Sequence, residues 1–139
     1  MTRQVRGQNK GLSGDNAMAE GSISKKPAPA ACRCLTPPFS FQDFDRTAVG
    51  VDETNGRLGE VSVETCKACG RTWLRYFVEY EATERSGRWY RGLVSPAVAR
   101  AITPQTAVAV LQGLEWRFAG GSHFESAGFK SADPMRLDP

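Results

Sequence analysis

Cys66-Lys67-Ala68-Cys69-Gly70-Arg71-Thr72-Trp73 decides how this chain folds, and Cys32-Arg33-Cys34 upstream is its natural partner. Two residues between cysteines let one tight turn supply an edge of the tetrahedron that Zn2+ takes from sulfur ligands. Gly70 lets the chain fold back over the sulfur at positive φ with no β-carbon in the way. Backbone N–H groups of such a turn point at the sulfurs and orient them. Lys67, Arg71 and Arg33 flank the cysteines. A four-thiolate zinc site carries about two net negative charges, so neighbouring cations favour the thiolates.

All four cysteines of the chain lie in these two pairs. Besides a metal site, they could form two disulfides, a redox dithiol, or plain buried thiols. Disulfides belong to oxidising compartments, and the sequence shows no export signal. A redox Cys-x-x-Cys sits ahead of a helix whose N-terminus lowers the thiol pKa, whereas Cys69 is followed by a strand-like run. The favoured reading is a structural Zn2+ held by Cys32, Cys34, Cys66 and Cys69. These two stretches resemble the rubredoxin-type knuckle of zinc-ribbon proteins. The resemblance covers the cysteine pairs and the strand after the second pair, and it implies a zinc-stapled β-element without implying a reaction.

Around the knuckle the pattern is that of strands. Arg57 to Thr65 alternates, with Val61 and Val63 on one side and Glu60, Ser62 and Glu64 on the other. Trp73 to Glu81 predicts a strand with Leu74, Tyr76, Val78 and Tyr80 on one face and Trp73, Arg75 and Phe77 on the other. A hairpin loop over Thr83–Gly87 would return Arg88 to Val94 antiparallel, with Tyr80 opposite Tyr90, Glu79 opposite Arg91 and Phe77 opposite Leu93. That register pairs aromatics with each other and an acid with a base.

Phe39 and Phe41 predict a further short strand, and Asn55-Gly56 a hairpin-type turn. Ser95-Pro96 opens a helical turn through Ala101. Thr103-Pro104 is a helix start, with Ala107, Val108, Leu111, Leu114 and Phe118 at helical spacing. The expected fold is α+β: a small antiparallel three- to four-stranded sheet with one covering helix and a zinc-ribbon-like staple.

Residues 1–31 are rich in Gly, Ser, Asn, Gln and Lys without apolar periodicity, and are expected to be a disordered basic tail. Met18 within it is an alternative start. Residues 32–125 are expected to form the domain, and 126–139 a flexible C-terminal tail. The tail 1–31 holds five Lys/Arg against two acids, and so carries the whole net charge of +3. Residues 32–139 balance at 13 against 13, which does not favour a polyanionic partner. No apolar run reaches the ~20 residues of a membrane span, and reduced cysteines suit the cytoplasm.

No catalytic constellation stands out, so the chain reads as a non-enzyme. His123 is its only histidine. Trp73, Arg75, Trp89 and Arg91 on one sheet face, or His123 in the Gly120–Glu125 loop, are the candidate partner-binding residues. Interleaved aromatics and arginines serve protein hot spots or stack on bases and pair with phosphates. The same tryptophans would equally pack as core beneath Phe39, Phe41 or the C-terminal segment. A protein-interaction module is the first expectation, a nucleic-acid binder the second, a thiol redox protein the third.

Overall fold

Alternation of large apolar residues with polar ones over 59–66, 72–78 and 88–94 sends successive side chains to opposite faces. In the computed structural model, which describes residues 31–138, these runs are strands β2 (Gly59–Cys66), β3 (Thr72–Val78) and β4 (Arg88–Val94). They form the centre of a six-stranded antiparallel sheet. Its outer strands are β1 (Phe44–Asp52), β5 (Arg117–Gly121) and β6 (Ser126–Ser131), and the spatial order follows the chain, β1 to β6. Two short helices, α1 (Pro96–Ala101) and α2 (Ala107–Gln112), join β4 to β5.

The fold is therefore mostly β, and the expected three- to four-stranded α+β arrangement under one helix is corrected. The missed strands are outer ones. β1 is exposed over most of its length and bends at a bulge between Ala48 and Gly50. β5 ends in two glycines, and β6 is polar. Strands that are largely exposed, or as short and buried on both faces as β5, lack the alternation that marks a half-buried one.

The long predicted helix is also shorter than expected. Thr103 spends its hydroxyl on a turn, accepting from the Thr106 N–H at 3.3 Å, and α2 begins only at Ala107. Phe118 lies in β5 rather than on the helix. Ser95 caps α1 by accepting from the Val98 N–H at 3.1 Å.

The β3–β4 register differs too. Tyr76 faces Tyr90, Phe77 faces Trp89, and Arg75 faces Arg91. The connecting loop is longer than the hairpin expected, because Ser86 Oγ binds both the N–H and the C=O of Tyr80 at 2.8 Å. The shift is an even number of residues, so every side chain stays on its predicted face.

One face carries the apolar core of Val61, Leu74, Tyr76, Val78, Tyr90 and Ala119 beneath Ala107 and Leu111 of α2. The other carries Cys32, Cys34, Phe44, Cys66, Trp73 and Phe118. Composition assigned 126–139 to a tail. Residues 126–131 instead pair with β5 as β6, and Met135 and Leu137 pack on the first core. Expectations for residues 1–30, including the basic tail and Met18, lie outside the described residues. Among the described residues no helix is long and apolar enough to cross a membrane.

Candidate metal centre

Cys66 ends β2 and Cys69 lies in the turn before β3. The Gly70 N–H closes that turn on the Cys66 carbonyl at 2.9 Å, and the Cys66 N–H returns to the Arg71 carbonyl at 2.9 Å. Gly70 takes φ 81°, the positive value that a residue without a β-carbon adopts at little cost. On the other side, Cys32 and Cys34 flank the start of a single 3-10 turn, Arg33–Leu35. The two turns meet because Phe44 pairs with Cys66 at the head of β1 and the Lys67 N–H reaches the Asp43 carbonyl at 2.9 Å.

The sulfurs interleave. Cys32 Sγ lies 3.6 Å from Cys66 Sγ and Cys34 Sγ 3.5 Å from Cys69 Sγ, and all four ligand atoms fall within 4.8 Å of one another. A tetrahedral ion with Zn–S bonds of about 2.3 Å needs sulfurs about 3.8 Å apart. All four cysteines are free of disulfides, and three of them are buried. The four sulfurs thus form one cluster able to hold a metal ion.

Opposing influences act on the sulfurs. Arg71 Nη1 donates to Cys69 Sγ at 3.2 Å. Burial works against the Arg71 charge, but Cys69 and Cys34 hold its pKa above the ordinary value. Burial, then hydrogen bonding with Cys69 and Cys32, pushes the Cys34 thiol up, while the Trp73 indole N–H pulls it down. No full hydrogen bond satisfies that buried N–H. Burial thus opposes ionisation of Cys34, the innermost of the four thiols. A bound cation reverses that balance by neutralising the thiolates.

The remaining residues singled out from the sequence separate. Trp73 is 0% exposed, packed on Trp116 and Phe118 beside the cysteines, and presents no surface. Trp89 is half-buried, with its ring 5.8 Å from that of Phe39. Arg75 and Arg91 sit opposite each other on the cysteine-bearing face of the sheet. His123 lies elsewhere, in a cavity of about 340 Å3 with Tyr90, Phe124, Phe129 and Arg136. Burial and the Arg88 and Arg136 cations hold its pKa below the ordinary value.

Sequence reasoning overlooked Glu64 and Arg46. Glu64 is fully buried and ion-paired with Arg91 through Oε1 and with Arg46 through Oε2 at 2.6 Å. Only the β1–β2 register, which puts Arg46 opposite Glu64, would have revealed the pair. No protein-family model matches the chain, and neither the curated proteins nor the solved structures contain a match.

Proposed function

We propose that the four cysteines hold a structural zinc ion and that the protein is a non-catalytic module that binds another protein. The observation that carries this reading is the single cluster of four sulfurs at the joint between the 32–44 segment and the β2–β3 turn. An all-sulfur, closed donor set is the pattern of structural zinc, since catalytic zinc keeps a position open to water. Arg71 and the Trp73 N–H orient and stabilise the ligands, as outer partners of metal sites do. The ion would tie down the segment that carries Phe39 and Phe41 across the sheet. Phe41 is 75% exposed beside Trp89, Arg75 and Arg91, a mixture of aromatic and arginine side chains suited to protein contacts. Thiolate ligation fits a reducing compartment such as the cytoplasm.

Native mass spectrometry of freshly purified protein, followed by timed thiol alkylation, tests the metal. The expected result is one zinc per chain, with all four thiols protected until a chelator is added. Metal-free protein with rapidly alkylated Cys66 and Cys69 would overturn the reading in favour of thiol redox chemistry.

A further inference from the structure

The cysteine-bearing face of the sheet holds more positive charge than its buried carboxylate neutralises. Arg75 and Arg91 are direct cross-strand partners, a placement in which like charges repel. Glu64 is shared between Arg91 and Arg46. Arg75 is left with the Phe77 ring, 5.4 Å from its guanidinium carbon, and among the described residues has no hydrogen-bond or ion-pair partner. Arg91, 4% exposed, packs on the rings of Phe39 at 4.7 Å and Phe44 at 4.3 Å, and its Nε–H and Nη1–H groups have no acceptor. Burial, then the neighbouring Arg75 and Arg46 cations, bring Arg91 down to about 10 against the pull of Glu64. Burial and Arg46 likewise hold Arg75 below its ordinary value. These three arginines line a groove of about 230 Å3 together with Phe39, Phe41 and Trp89.

We propose that this groove binds a phosphate monoester. Arg75 and Arg46 contact its oxygens, Arg91 supplies charge from below, and Phe41 and Trp89 pack on the group that carries the phosphate. Three guanidiniums against Glu64 leave two positive charges at the floor, with exposed Glu60 the other carboxylate acting on Arg75. A phosphate monoester carries about −1.5 to −2 at pH 7, which matches this excess better than a carboxylate does. The planar fork of arginine pairs bidentately with phosphate oxygens. An aromatic wall gives the ester group an apolar seat. Residues 32–139 are neutral overall, so a single monoester fits where a nucleic-acid backbone would need an extended basic surface. The proposal rests on the reading of the protein as a binding module and does not depend on the metal.

Full-length protein of measured zinc content, titrated calorimetrically with phosphotyrosine and with adenosine 5′-monophosphate, provides the test. Tyrosine and adenosine serve as the phosphate-free probes. One phosphate probe is expected to bind at one site per chain, at least tenfold more tightly than its phosphate-free counterpart. The tighter of the two names the source as a phosphorylated side chain or a nucleotide. Arg75→Gln, on an already unpaired side chain, should weaken binding about tenfold or more with the melting temperature unchanged. Absence of saturable binding by both probes, equal binding by Arg75→Gln, or tighter binding of an oligonucleotide than of the mononucleotide would each overturn the proposal. The separate zinc measurement tells failure of the groove from failure of the metal reading.

Discussion

Glu64 is a fully buried carboxylate held between two arginines. A carboxylate taken fully out of water is costly, and attraction to partners offsets that only when the geometry is good. Here both oxygens are engaged, one by buried Arg91 and one by Arg46, whose side chain is 45% exposed. The two arginines therefore differ in what their loss would do. Glu64→Gln would leave Arg91 as an uncompensated buried cation, and should cost about 3–5 kcal/mol. Arg46→Ala removes a solvent-screened partner and should cost about 1 kcal/mol or less. Urea denaturation of the two variants measures both. Equal, small losses would mean that water reaches the Arg91 site and screens it.

At the scale of elements, the outer strands and the segment after them hold the surprises. The knuckle spacing located the four sulfurs, and alternation placed the residues of β2, β3 and β4 on their correct faces. The register and the outer strands were not legible. A loop closed by the Ser86 hydroxyl looks like any polar turn, β1 and β6 are largely exposed, and β5 is short and ends in two glycines. Nor does the sequence announce that Arg88 and Arg117, ordinarily surface residues, are buried. Their partners are backbone carbonyls. Arg88 Nη1 donates to those of Arg136 at 3.1 Å and Asp138 at 2.8 Å, while Arg117 donates to those of Leu111 and Asp133. Tyr90 adds a hydrogen bond to the Arg136 carbonyl at 2.7 Å, and Tyr80 one to that of Leu137 at 2.6 Å. Residues 132–138 thus satisfy donors that the core of the sheet cannot satisfy itself. Ending the chain after Ser131 orphans them, and each buried charged donor left unpaired costs about 1–3 kcal/mol or more. The truncated protein should melt at least several degrees lower or fail to accumulate in soluble form. A melting temperature equal to that of the full chain would show that water replaces those carbonyls without loss.

For the molecule as a whole, the two faces of one sheet depend on different things. The core beneath α2 contains no cysteine and is built from β2–β5, the helices and Met135 and Leu137. The core on the other face includes Cys32, Cys34 and Cys66, with Cys69 packed against it, and Trp73 and Phe118 lie between the sulfurs and Phe39. Metal binding is folding free energy wherever the site does not exist in the unfolded chain, and an ion held by the four sulfurs would close a loop from Cys32 to Cys66. Chelation should therefore act on one face. Amide exchange is expected to quicken in residues 32–43 and in the 66–71 turn, which are anchored by few backbone hydrogen bonds beyond those near the cysteines. The central β3 and β4 amides should stay protected, and tryptophan emission should shift to the red as Trp73 and Trp89 lose their cover. Hydrogen exchange with and without chelator reads both regions in one experiment. Uniform loss of protection across β3 and β4 would make the cluster the keystone of the whole fold. No change anywhere would show that packing of Phe39, Phe44 and Trp73 alone holds the segment in place, and that the four thiols stabilise nothing by holding an ion.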